Sequence, residues 1–206
     1  MPDRNTQVRE AFRASVLQLV HVVDHIPADS WGKPALGEWN VLELVAHVMR
    51  AVEGPVVLSG QAKPVDMDGA ATYYLRAMAA PDVHAQVAER ARQSTAALGD
   101  DPATAARVIA ERALAAIEQL EDDAPVSTPI GTVRLIDYLP TRVLEVVVHT
   151  MDVANAVGVE VEPPAAAQYV SLALLGEIAV AQGEGTMLTM ALCGRHPLPD
   201  GYNVLA

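Results

Sequence analysis

Glu145 and His149, in the segment Arg142-x-x-Glu145-x-x-x-His149-x-x-Asp152, place a carboxylate and an imidazole four residues apart. On a helix that spacing stacks the two side chains on one face, and a third donor from another helix completes a three-ligand site for a divalent metal. His47, in Leu44-Val-Ala-His47-Val, is the candidate third donor.

The helix that carries the pair has a further property. At about 100° per residue, Tyr138, Arg142, Glu145, His149 and Asp152 share a band roughly 80° wide. Around the rest of the circumference stand Leu135, Ile136, Leu139, Val143, Leu144, Val146, Val147, Val148, Met151 and Val153. A helix apolar on nearly every side is buried, so the polar band must face protein. Burying a carboxylate and imidazoles without partners costs several kcal/mol, against a typical net stability of about 5–15 kcal/mol. Either a metal ion satisfies them or an ion pair of Arg142 with Glu145 or Asp152 does; the spacing leaves both open.

The other candidates are weaker. His47 sits roughly 120° from the apolar stripe of its own helix, centred on Val41, Val45, Val48 and Val52, so it is a flank residue able to reach a neighbouring helix. His21 and His25 form the more obvious i, i+4 histidine pair. They lie roughly 180° and 220° from the stripe centred on Phe12, however, and are expected to face water. His84 and His196 have no partner by spacing. Cys193 is expected as buried filler in a strand, Arg195 as a solvated residue, and Trp31 and Trp39 as core packing or, alternatively, the wall of a pocket. The chain has no P-loop, dinucleotide-binding glycine pattern, Gly-x-Ser-x-Gly elbow or paired Cys-x-x-Cys.

The elements that must position these residues follow from composition and period. The 206 residues are 51% hydrophobic but only 4% aromatic, an Ala, Val and Leu content that favours packed helices. A net charge of −12 and a pI near 4.8 argue against nucleic acid or an anionic membrane as partner, because no basic cluster is available to neutralise phosphates. One cysteine excludes an intrachain disulfide and suits a reducing cytoplasm; no stretch is long and apolar enough for a membrane span or signal peptide. A cytoplasmic protein is expected, and a homodimer is compatible with the sequence.

Helices are expected over about Asn5 to Ile26, Asn40 to Ser59, Ala70 to Ala79, Asp82 to Leu98, Ala103 to Asp122, Leu135 to Val157 with Gly158 as its left-handed cap, and from Pro164 to Gln182. Ala124 to Arg134 reads as a short hairpin, and Thr186 to Cys193 with Tyr202 to Leu205 as a second, C-terminal one. The expected fold is mainly α: a four-helix bundle over residues 1–160, followed over residues 161–206 by a small helix and β-hairpin.

Trp39-Asn-Val-Leu-Glu-Leu-Val-Ala-His47, followed a hundred residues later by Arg142-x-x-Glu145-x-x-x-His149-x-x-Asp152, resembles the mycothiol-dependent maleylpyruvate isomerase N-terminal family, within the DinB-like superfamily of metal-binding bundles. The likeness covers roughly residues 5 to 160, and the tail from Leu192 to Leu205 resembles the short element often attached to such bundles. The resemblance implies a divalent metal, usually zinc, with nickel or iron as alternatives, bound by His47, Glu145 and His149. It implies mycothiol as co-substrate and a small electrophile as partner, with thiol S-transfer or cis–trans isomerisation as the reaction. The isomerase has a larger C-terminal domain that contributes a catalytic arginine, and the resemblance does not establish Arg195 as its counterpart.

Two histidines and a glutamate leave one coordination position open, as at catalytic zinc. A thiol there would be deprotonated at neutral pH and could attack an electrophilic carbon. Arg142 and Asp152 are the candidate catalytic residues: Asp152 to orient an imidazole or hold the thiol's polar groups, Arg142 to neutralise Glu145 or hold an acidic substrate. A zinc hydrolase and a non-catalytic metal- or partner-binding bundle are the competing readings.

Overall fold

The computed structural model describes residues 3–60, 63–80, 89, 90 and 92–205. Four helices form the bundle: α1 (Arg4–Asp24), α2 (Val41–Val57), α4 (Pro102–Glu118) and α5 (Leu135–Val157), with the short α3 (Ala70–Met78) outside it. α1 and α2 each pack against both α4 and α5, closing a ring around one apolar core. Phe12, Val16 and Leu19 of α1, Leu44, Val45 and Val48 of α2, Ile109 and Ala113 of α4, and Leu139, Val143 and Val146 of α5 meet there. The expected helical bundle is the observed fold.

Local signals account for how the elements start. Asp3 caps α1 through the amides of Asn5 and Thr6. Asn40 caps α2 in a capping box, its side chain accepting from the Glu43 amide while the Glu43 carboxylate accepts from the Asn40 amide. α2 is preceded by a small antiparallel pair, β1 (Pro34–Leu36) and β2 (Trp39–Asn40). α5 follows the expected hairpin of β3 (Pro125–Thr128) and β4 (Gly131–Arg134), paired from Pro125↔Arg134 to Thr128↔Gly131. Gly131 has φ 138, and a Cβ there would lie 2.8 Å from an Asp66 carboxylate oxygen, so only glycine fits. That approach pins the segment before α3: the Thr132 amide donates to Asp66, and Thr132 O accepts from the amides of Asp66 and Met67. α5 spans the expected residues and stops at Gly158, in the left-handed conformation with φ 73 and ψ 28.

α6 (Ala165–Ala181) packs across α1 and α5 and contributes Ala167 and Val170 to the main core. Leu174 and Ile178 of α6 join Ala70 of α3 and Leu144 of α5 in a second apolar cluster, against which Tyr74, Leu75, Val204 and Leu205 pack.

The C-terminal segment departs from expectation. Gly185–Leu192 is a helix, α7, rather than a strand, and Tyr202 to Leu205 forms no strand with it. Thr186, Thr189 and Leu192 are exposed while the positions between them are half-buried, a three-to-four-residue period that the loose alternation concealed. Cys193 accordingly ends that helix as an exposed thiol, not as buried filler in a strand. The helix expected over Asp82 to Leu98 lies partly outside the described residues, as does His84; its end is a 3-10 turn, Thr95–Leu98. Among the described residues no helix is long and apolar enough to cross a membrane.

Candidate metal centre

The polar band of α5 faces protein, as its apolar surroundings require. His47, two turns into α2, meets it from across the α2–α5 interface, because its flank position points sideways toward α5. His47 Nε2 lies 3.6 Å and His149 Nε2 3.5 Å from the same Glu145 oxygen, Oε2. One donor atom from each of the three residues falls within 4.8 Å of the others. The imidazole rings stand edge to face with centroids 4.9 Å apart. Side-chain exposures of 14, 19 and 17% for His47, Glu145 and His149 leave the cluster shielded yet reachable from outside.

These distances suit a shared cation. Ligands 2.0–2.1 Å from a tetrahedral zinc are about 3.4 Å apart, close to both nitrogen–oxygen separations. The donor set, two imidazoles and a carboxylate, is that of open three-ligand zinc sites, so the residues fit the ion.

Asp152 stands one turn beyond His149, and its Oδ2 accepts from His149 Nδ1 at 3.0 Å. That bond fixes the ring and leaves Nε2 as the atom facing Glu145. Burial opposes an imidazolium at His149, but Asp152 and Glu145 more than offset it and raise the pKa to about 9. Burial pushes His47 the other way, below its ordinary value, with Glu145 opposing only in part. Glu145 itself is held well below the usual carboxylate range: burial would raise it, but hydrogen bonds from His149 and His47 and the nearby Arg142 charge prevail. In the absence of metal a proton on His149 therefore supplies the positive charge that the cluster demands.

Arg142 forms no ion pair within 4.0 Å with Glu145 or Asp152, so of the two readings the spacing leaves open the direct salt bridge is not the one observed. Its guanidinium carbon lies 4.8 Å from the ring centroid of Tyr138 and 5.9 Å from that of Tyr73, and Nε donates to Thr141 Oγ1 at 3.1 Å. Stacking on aromatic faces holds the charge without neutralising it.

Tyr73 and Tyr74 were not assigned to the site from sequence, whereas Trp39 had the wall of a pocket as its alternative reading. Trp39 of β2 covers His47 with ring centroids 4.8 Å apart, so it walls the site as well as packing on the core; Trp31 packs on the core. Tyr73 meets Tyr138 edge to face at 5.1 Å, and the Tyr74 hydroxyl donates to Glu145 Oε1 at 2.7 Å. The usable signal was scarcity: the chain has five tyrosines, and Tyr73, Tyr74 and Tyr138 converge here. The other sequence candidates lie elsewhere. His21 and His25 are exposed, as expected, and stack on each other with centroids 4.4 Å apart; Arg195 and His196 are exposed in the tail.

Comparison with known proteins agrees with the geometry. A comparison with curated proteins gives no match. Among solved structures, the chain is similar to that of a histidine-to-alanine variant of the mycothiol-dependent maleylpyruvate isomerase, with a TM-score of 0.57 at 18% identity, over 87% of this chain and 70% of the other. That likeness establishes the fold. The model of the mycothiol maleylpyruvate isomerase N-terminal domain matches residues 12–154, which include α2 and all of the polar band of α5. Bundle, donor cluster and family model coincide on the same residues, and the chain belongs to the mycothiol maleylpyruvate isomerase N-terminal domain family.

Proposed function

We propose that the chain is a mycothiol-dependent enzyme of the S-transferase or cis–trans isomerase type, and that His47, Glu145 and His149 hold a divalent ion, zinc before nickel or iron. The observation that carries this reading is the convergence of three donor atoms within 4.8 Å from two helices, in a family named for mycothiol chemistry. When bound, such an ion supplies the positive charge that favours a thiolate over a thiol at neutral pH.

The chain's own residues do the rest. Asp152 accepts the His149 Nδ1 proton and so keeps the Nε2 lone pair available as a donor. Trp39 covers the outer face of His47 and limits water there. Arg142, set over the rings of two tyrosines and with no carboxylate within 4.0 Å among the described residues, presents a guanidinium fork for the acidic group of an electrophile. Sulfur adds to one carbon of an activated alkene, leaving a single bond about which the adduct can rotate. Expulsion of the thiol then gives the isomer, whereas protonation of the adduct gives the thioether.

The test is turnover of maleylpyruvate and of a panel of electrophiles by zinc-loaded protein, with mycothiol, glutathione or no thiol. Turnover that requires mycothiol is expected. Hydrolysis of ester or amide substrates that proceeds equally without thiol would replace this reading with a zinc hydrolase.

A further inference from the structure

The two carboxylate oxygens of Glu145 have different neighbours. Oε2 faces Nε2 of His47 at 3.6 Å and Nε2 of His149 at 3.5 Å, while Oε1 accepts the Tyr74 hydroxyl at 2.7 Å. We propose that Tyr74 is a positioning residue that holds Glu145 as a one-oxygen ligand, keeping Oε1 turned away from the ion and one coordination position open for the thiol. This rests on the metal-centre reading above and adds to it a residue that neither the spacing nor the family motif singles out.

The packing explains why Tyr74 can do this. α3 is nine residues long and its N-terminus has no side-chain cap, so by itself it would be marginal. Its place is set by the second apolar cluster, where Ala70 lies buried with Leu144, Leu174 and Ile178, and where Tyr74 and Leu75 pack. Leu144 precedes Glu145 in the chain. The cluster that locates the tyrosine ring therefore also locates the ligand's backbone, and the hydroxyl meets Oε1 from a fixed origin. A carboxylate oxygen can only accept, so the hydroxyl is the donor in this bond. The neighbouring Tyr73 points elsewhere, to Tyr138 and Arg142, so the two adjacent tyrosines serve different residues.

A hydrogen-bond donor on Oε1 occupies one of that oxygen's two lone pairs and makes it the weaker ligand, which leaves Oε2 as the favoured donor to the metal. Released, Oε1 would swing onto the ion and fill the position a thiol needs. The alternative is that the hydroxyl merely satisfies a shielded carboxylate oxygen and has no bearing on the metal.

Tyr74→Phe separates the two. It removes one oxygen and leaves the ring in its cluster, so the metal-free variant should keep a cooperative melt; loss of that melt would assign the hydroxyl to folding and overturn the proposal. In the folded variant, zinc affinity by competitive titration should fall by about 10–100-fold. The visible bands of cobalt-substituted protein should weaken as the coordination number rises, and mycothiol should perturb them less than in wild type. Wild-type zinc affinity together with an unchanged cobalt spectrum in Tyr74→Phe would overturn the role of Tyr74 while leaving the metal centre intact. Failure of the wild-type protein itself to take up zinc or cobalt would instead overturn the metal-centre reading, and this inference with it.

Discussion

Raising the pH of metal-free protein from 6.5 to 9.5 should strip the proton from His149 and with it part of the stability of the fold. In the unfolded chain the imidazole titrates at its ordinary 6.5; in the folded chain Asp152 and Glu145 overcome the burial that opposes its charge and raise the value to about 9. Between those values the folded state binds more protons than the unfolded state. The stabilisation is therefore complete below 6.5 and is lost as the pH rises through 9. At about 1.4 kcal/mol per pH unit, the interval from 6.5 to about 9 corresponds to a loss of roughly 3 kcal/mol. For a chain of 206 residues that is a fall in Tm of roughly 6–12 °C. His47 does not cancel it: burial lowers its pKa, so its own contribution changes only below 6.5, where stability is lost as the pH falls. The assay is a series of thermal melts of chelator-treated protein, with His149→Gln as the comparison, in which the alkaline fall should be absent. Zinc-saturated protein should also lack it, because ligation requires a neutral imidazole. A wild-type Tm that holds or rises from 6.5 to 9.5, or the same fall in His149→Gln, would refute the reasoning.

Replacing His47 or His149 by Ala should abolish the ion found by elemental analysis of zinc-loaded protein, whereas the double replacement of His21 and His25 by Ala should leave it in place, because that pair is exposed and remote from Glu145. Asp152→Asn should retain the ion with affinity weakened by about 10–100-fold, since its carboxylate touches only the far nitrogen of His149. Glu145→Gln should lose more, because it removes an anionic ligand; the reverse order by competitive titration would make Asp152 the ligand.

The helical period made half of the site legible. Glu145, His149 and Asp152 share a face on α5 by spacing alone, and the apolar residues around them required that face to be buried. His47 was legible only as a flank residue, since which neighbour it reaches depends on how α2 crosses α5. Tyr74 was legible only through the scarcity of tyrosine: on a short, uncapped helix it carries no periodic signal, and its partner lies 71 positions along the chain. The spacing left an ion pair of Arg142 with Glu145 or Asp152 open; the guanidinium instead sits over the rings of Tyr138 and Tyr73, which a charge inventory omits. The strand expected at the C-terminus failed because eight residues of mixed small and apolar type fit either period, and packing against α6 settles the choice for α7. The bundle itself, with its hairpin before α5 and its cap at Gly158, followed from turn residues and stripes long enough to be unambiguous.

Whether a thiol reaches an ion at this cluster is best decided by the absorption spectrum of cobalt-substituted protein titrated with mycothiol. An ion held by His47, Glu145 and His149 with one open position should give an intense sulfur-to-cobalt charge-transfer band in the near ultraviolet that saturates at one thiol per ion. A spectrum that mycothiol leaves unchanged at saturating concentration would contradict the proposed thiol chemistry.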